Sequence, residues 1–298
     1  MYILGAGLTA CLAGMYNQHA DILCPQPRGE LKQHRAILRF PNADIERITG
    51  VKCKKVQITK SIYEMGKHVE PDIRVANAYS KKVTGGYYDR SINNIDPVTR
   101  WIPPDNFHDI MLDILKDRIS YGVDLGTTVF KNHRPIVSTL PISKNCEIAG
   151  LDLPEMESKY RSIYVSKYAI CDCDVWHTVY YPDNQGVYRA SVEGNLLTIE
   201  SVEPIIEADA WCVLNSMGIE KADSFLIEKN YKQSVGKIIP IDDTIRKDTI
   251  KRLTLDYNLY SLGRWATWRS IQLNDVVKDL GVIHRLINEN EYDLMVGK

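Results

Sequence analysis

The chain opens Met1-Tyr-Ile-Leu-Gly5-Ala-Gly7-Leu8-Thr9-Ala10, and no other stretch restricts its fold as much. A short apolar run enters G-x-G-x-x-A, and residues 11–16 continue as a helix. Strand, glycine turn and helix in that order form the phosphate turn of a βαβ unit. Gly5 permits the tight turn, Gly7 lets the backbone approach a pyrophosphate, and Ala10 is small enough for the helix to pack on the strand. Leu8, Thr9 and Ala10 start the helix, whose unpaired N–H groups and partial positive charge favour an anion. The motif predicts a parallel α/β sheet that binds a dinucleotide at its first turn.

The second half of that fingerprint is irregular. Residues 20–24 read as the next strand, which ordinarily ends in an acid that holds the adenosine ribose. Here it ends Cys24-Pro25-Gln26-Pro27, and the next carboxylate is Glu30. Gln26 is left to accept a ribose hydroxyl without charge. The missing acid argues against NAD and less against FAD, which is gripped along its whole length.

Composition sets the remaining bounds. With 298 residues, 44% hydrophobic, 25% charged and a net charge of −1, this is an ordinary globular chain of one large or two intimate domains. No apolar run reaches the roughly 18 residues of a membrane helix, and no signal-peptide pattern is present, so a cytoplasmic location is expected. The seven cysteines include no C-x-x-C, and Cys171-Asp172-Cys173 has the wrong spacing for a zinc knuckle, so reduced thiols and no metal are expected. Between residues 28 and 60, nine Lys or Arg stand against three acids. That stretch reads either as a solvated basic face or as a contact for phosphate, including DNA.

Along the chain, 51–62 alternates as a strand, and 106–119 has helical apolar spacing with Asp105 as N-cap. Residues 121–129 and 135–140 read as strands, 160–200 as an antiparallel sheet, and 208–215 and 224–230 as helices. A strand near 259–262 leads through Gly263 to a helix over 274–289. The expected architecture is α/β: a Rossmann-like domain formed by 1–50, 105–142 and 250–298, with an inserted β-rich, substrate-facing domain formed by 51–104 and 143–249.

Near the end, Ile239-Pro240-Ile241-Asp242-Asp243 precedes Leu262-Gly263-Arg264-Trp265-Ala266-Thr267-Trp268-Arg269 and a helix. This resembles the flavin-binding family of UDP-galactopyranose mutases and amine oxidases. The resemblance extends to Ile136-Val-Ser-Thr-Leu-Pro141, to Tyr180-Tyr-Pro-Asp183 with Tyr188-Arg189, and to the N-terminal turn. It implies extended FAD, with the pyrophosphate on residues 5–10 and the flavin ring near the 263–275 junction. Gly263, Arg264, Gln272, Leu273 and Asn274 then become cofactor residues, and Arg189 faces cofactor or substrate. The family's segment over the flavin is not recognisable; 33–40, with Arg35 and Arg39, stands in that region. Gln272 replaces the aspartate that opens the mutase helix.

The segments 34–40, 77–85, 90–94 and 263–269 also resemble small bacteriophage flavoproteins of DNA hypermodification. That resemblance implies FAD-dependent oxidation of a glycine-like amino acid attached to thymine, cleaving its N–Cα bond and leaving an aminomethyl base. Arg35, Arg39 and Arg189 are candidates to hold the substrate carboxylate, with Arg90 and Arg100 behind them. The basic 28–60 region and Tyr87, Tyr88 and Trp101 would meet DNA, with core packing as the other reading of these aromatics. A small amine or nucleotide is the other substrate class. The alternative activity is a UDP-sugar mutase using reduced flavin, with Arg189 and Arg264 on the diphosphate. A protein that keeps the fold without the chemistry is the third reading.

Overall fold

Tyr2, Ile3 and Leu4 form the first strand, and the glycine turn passes directly into a helix whose inner face is nearly all small or apolar: Ala10, Cys11, Leu12, Ala13 and Gly14 are buried. The computed structural model describes residues 1–31, 37–87, 91–126, 134–151, 159–183 and 186–295. The chain runs β1 (Tyr2–Leu4), α1 (Leu8–Tyr16), β2 (Asp21–Cys24), α2 (Asp44–Thr49), β3 (Lys54–Glu64), β4 (Lys67–Val69) and α3 (Ile73–Thr84). It continues through β5 (Val98–Ile102), α4 (Phe107–Ile114), β6 (Ile119–Tyr121), β7 (Ile136–Ser138), α5 (Ile142–Ala149), β8 (Tyr160–Ile170), β9 (Trp176–Tyr180), β10 (Val187–Glu193) and β11 (Leu196–Ser201). Then come α6 (Glu207–Ser216), β12 (Ser224–Ile238), α7 (Asp243–Tyr257), β13 (Leu259–Ser261), α8 (Arg264–Thr267) and α9 (Leu273–Met295).

Two sheets result. The first is parallel, in the order β13-β7-β1-β2-β6, with β1 at its centre. Parallel sheets need crossovers and cover on their faces. Here α1, α4 and α9 join β1 and β2 in one core through Leu12, Met111 and Leu280. α5 and α7 contribute Cys146 and Leu253 to a second core with Leu4, Ile136 and Leu259. All of α5 but Ile142, and the first seven residues of α7, lie in the stretch that the expected boundary assigns to the insertion, and both helices pack on the first sheet.

The second sheet follows β12-β8-β11-β10-β9-β3-β4, with β5 also paired to β3. Its pairings are antiparallel except β3 with β9. α6 closes one cluster with Tyr181, Val192 and Ile199, and α3 closes another through Val75, Tyr79 and Val83 against Ile62, Val165 and Tyr188. This is the α/β arrangement expected, a Rossmann-like sheet with a separate β-rich one.

Three local expectations need correction. Residues 224–230 form strand, not helix, because Phe225 and Leu226 pair with Ala169 and Tyr168 on β8. A three-residue apolar run carries no period of its own, so its partner decides. The helix expected over 106–119 is α4, ending at Ile114, and Ile119 already belongs to β6; Asn106 rather than Asp105 precedes it as N-cap. The strand expected over 121–129 is the shorter β6, shifted to Ile119–Tyr121, and its remainder from 127 lies outside the described residues.

Candidate functional site

The turn after β1 has the geometry its residues require. Gly5 has φ 105°, and a β-carbon there would lie 2.5 Å from Thr139 Oγ1. That hydroxyl is fixed by donating to Leu4 O at 2.8 Å. Gly7 is the N-cap of α1, and no side chain caps the helix. The first-turn N–H groups of Leu8, Thr9 and Ala10 therefore have no acceptor within the helix. A β-carbon on Gly7 would meet nothing within 4 Å, so the backbone there faces open space. A diphosphate fits this cradle: bare donors, a helix N-terminus and no obstructing side chain.

Two supporting contacts have no local signal. His108 Nε2 lies 2.8 Å from Ala6 O; a carbonyl only accepts, so Nε2 carries the proton. Gly14 allows the close helix–strand approach alongside Ala10, since a β-carbon there would lie 2.7 Å from Ile22 Cδ1. Cys11 also lies here, and burial, with Cys24 nearby, pushes its thiol up to about 12. It is a neutral packing group rather than a nucleophile.

The C-terminal motif returns to the same place. Gly263 has φ 87°, and a β-carbon on it would lie 2.6 Å from Thr9 Cγ2. The first turn and the Gly-Arg turn are therefore in contact, 254 residues apart. Arg264 folds back on its own loop, its Nε and Nη2 donating to Ile271 O at 3.3 and 3.1 Å. Asp275 caps the start of α9 by accepting from Gln272 N at 2.9 Å. Gln272 is exposed and Leu273 half-buried. Asn274 is buried and donates to Asn42 Oδ1 at 2.7 Å, while its own Oδ1 has no partner among the described residues, nor has Ser261 Oγ on β13. Buried polar atoms left over beside this turn are what a site with a polar ligand would show. Gln26 is exposed at the carboxyl end of β2, the edge on which the glycine turn also lies.

The candidate substrate arginines lie on the second sheet. The β10–β11 register shifts between Val187 and Arg189, and a bulge of this kind brings successive side chains to one target. Tyr188 Oη donates to Glu200 Oε1 at 3.1 Å, and Arg189 Nε pairs with Glu200 Oε2. Glu200 is 1% exposed. Burial alone would raise its carboxyl, but Arg189 and Tyr188 hold it below the usual carboxylate range. Burial pushes the Tyr188 phenol well up. Arg189 is thus committed to a buried carboxylate.

Arg39 reaches the same sheet from the first domain. Its neighbour Phe40 packs in the core of α1 and α4 and bridges to Trp101. Arg39 Nε donates to Glu193 Oε1 at 2.8 Å and Nη1 to Thr178 Oγ1 at 2.6 Å. Its Nη2 has no partner among the described residues. Arg35, Tyr88 and Arg90 lie outside the described residues. Tyr87 is exposed, and Trp101 packs against the first core.

The basic stretch is no single open face. Arg28 pairs with Asp113, Arg39 with Glu193, Arg47 with Asp44 and Lys52 with Glu46. Lys32 and Arg35 lie outside the described residues; the other three are on β3, where Lys60 donates to Asn94 O at 2.7 Å, Lys54 stands over the Trp176 ring at 4.9 Å and Lys55 over Trp101 at 5.4 Å. Among the described residues no cluster of three metal-ligating side chains occurs, and no helix is long and apolar enough to cross a membrane.

No family model and no curated protein sequence matches the chain. Solved structures do. A protoporphyrinogen oxidase-like protein from Exiguobacterium sp. 255-15 superposes over 97% of this chain and 98% of its own, with TM-score 0.57 and 11% identity. An oxidoreductase from Methanosarcina mazei covers 95% and 99%, with TM-score 0.53 and 10% identity. A geranylgeranyl bacteriochlorophyll reductase-like protein from Thermoplasma acidophilum covers 98% of this chain and 78% of its own, with TM-score 0.51 and 12% identity. At such identities the likeness establishes a shared fold over nearly the whole chain.

Proposed function

We propose that this chain is an FAD-dependent amine-oxidising enzyme and that its substrate is a glycine-like amino acid carried on the methyl carbon of thymine in DNA. The observation that carries the cofactor is the contact of Thr9 with Gly263 beside the open, uncapped turn at Gly7. Fold likeness to an oxidoreductase over nearly the full chain supports the reaction class. The bound flavin would supply a two-electron acceptor for the carbon next to the amine nitrogen; the oxidised substrate then hydrolyses to the aminomethyl base and glyoxylate.

The chain's own residues bind and orient. The amides of residues 7–10 hold the diphosphate, and Asn274 and Ser261 offer polar atoms beside the Gly263 turn. Arg39 has a buried amino group with no partner among the described residues, which a substrate carboxylate would complete. Lys54 and Lys55 offer cations to DNA phosphates. The sugar-nucleotide mutase reading loses support, because the Arg189 it needs on a diphosphate pairs with Glu200.

The test has two stages. Purified protein should carry a visible flavin spectrum or acquire one on adding FAD; a colourless protein that takes up none overturns the cofactor. The flavin-loaded protein should release peroxide and glyoxylate aerobically with glycine-modified thymine DNA. Silence there, with bleaching by a free amine, removes the DNA substrate but keeps the oxidase. Furanose formation from UDP-galactopyranose under reduction would restore the mutase.

A further inference from the structure

His177 on β9 lies between two hydroxyls of the neighbouring parallel strand β3. Its Nδ1 is 2.6 Å from Thr59 Oγ1 and its Nε2 is 2.9 Å from Ser61 Oγ. The register explains the fit: Thr59 stands opposite His177, and Ser61, two residues on, shares its face. Thr59 Oγ1 also donates to Trp176 O at 3.3 Å, so a lone pair faces Nδ1 and Nδ1 carries the ring proton. Burial, with His68 and Arg39 nearby, holds the imidazole below its ordinary pKa, and it is neutral at neutral pH. A neutral imidazole has one N–H, which leaves Nε2 to accept from the Ser61 hydroxyl. Nucleophile, base and orienting group thus stand in hydrogen-bonded sequence.

This row opens into a cavity. Ser61 and His177 line a space of about 640 Å³ at the end of α6, with Ile170, Val192, Met217 and Ile219 as its apolar wall. That is the size of a small-molecule site. No Asp, Glu, Lys or Arg lines it among the described residues, so the wall suits a neutral, apolar group. The cavity is separate from the place of Arg39. Thr178, which holds Arg39, follows His177 in β9, and successive strand residues point to opposite faces.

The structure assigns a second, hydrolytic site to this cavity, with Ser61 as nucleophile, His177 as general base and a small apolar carboxylic ester as substrate. Ser61 Oγ bonds to the ester carbonyl carbon while its proton passes to His177 Nε2. The bond from that carbon to the alkoxy oxygen breaks, and the proton leaves with the alcohol. Water then attacks the acylated serine by the same route, releasing the carboxylic acid and restoring both residues. Thr59 is a positioning residue that holds the imidazole in the tautomer able to accept.

The purified chain should hydrolyse p-nitrophenyl butyrate faster than buffer alone. Ser61→Ala or His177→Ala should lower that rate on the order of a hundredfold. Thr59→Val should lower it too, and Thr59→Ser should restore it. A fluorophosphonate should label the wild-type chain on Ser61, located by peptide mass spectrometry, a readout that needs no variant to fold. Cys171 and Cys173 also line the cavity, so adducts confined to their thiols, or hydrolysis unchanged in Ser61→Ala, overturn the inference. So does a chain that neither turns over the ester nor takes the label. Neither readout involves flavin, so failure here is separable from failure of the proposed activity.

Discussion

Thr9 Cγ2 stands 2.6 Å from the point a β-carbon on Gly263 would occupy. The turn that begins the chain and the turn that follows its last strand are shaped against each other, and neither glycine motif is complete alone. Gly263→Ala is therefore expected to cost about 1–3 kcal/mol, combining a backbone held at positive φ with a clash. Removing the opposing methyl and hydroxyl with Thr9→Ala in the same chain should recover the clash but not the backbone strain. Thermal unfolding of the two variants checks the split.

The two glycines of the first turn should behave differently. Gly7 has an ordinary extended φ of −75° and space around it, so Gly7→Ala should leave stability within about 0.5 kcal/mol. The new methyl would project where the proposed FAD places its diphosphate, and FAD affinity should fall by ~tenfold or more. Gly5→Ala should lose stability before cofactor binding is even asked about. Equal effects of the two substitutions on folding would contradict the geometry.

Arg189, itself half-buried, pairs with the buried carboxylate of Glu200, and removing it leaves that buried charge uncompensated. Arg189→Met should cost about 3–5 kcal/mol, and adding Glu200→Gln should return part of it. The pH dependence has a fixed sign. Arg189 holds the Glu200 carboxyl below its unfolded value, so its contribution is present above the ordinary carboxylate range and is lost as pH falls through the lowered folded value. In Arg189→Met the acid-unfolding midpoint should move to higher pH, which a denaturation series at graded pH would show.

Lys82 gives the opposite window. Burial lowers its ammonium to about 8, although it donates to Tyr181 O at 2.7 Å and also to Val187 O. Between that value and the unfolded pKa of about 10.4 the unfolded chain holds a proton that the folded one has released. Stability from this group therefore rises with pH across that window, by up to roughly 3 kcal/mol. Urea midpoints measured through the window should show a shallower rise in Lys82→Met than in the parent chain.

The parts of this molecule legible in its residues are the local ones. G-x-G-x-x-A announces a strand, a turn and a helix because each small residue answers a contact within a few positions. The strand before Gly263 and the long final helix were legible for the same reason. Contacts that join distant segments left no local trace: His108 on Ala6, Arg39 on Glu193, Thr9 on Gly263. Residues 224–230 show the limit from another side. Phe225, Leu226 and Ile227 have no period, and it is Ala169 and Tyr168 that make them a strand. Helix α7 escaped notice because only Thr249 and Leu253 of its fifteen residues are buried, too few to print an apolar stripe.

The distance along the chain between Thr9 and Gly263 also sets an order of events in the making of the protein. At typical synthesis rates of 5–20 residues per second, roughly 13–50 s separate the emergence of one from that of the other. The phosphate turn and its helix can form early, but the surface that completes them arrives with β13, after the whole second sheet has been made. Until β13 is made, a nascent chain thus carries half of the proposed cofactor site, and on that proposal loading with cofactor is a late step coupled to final closure of the fold.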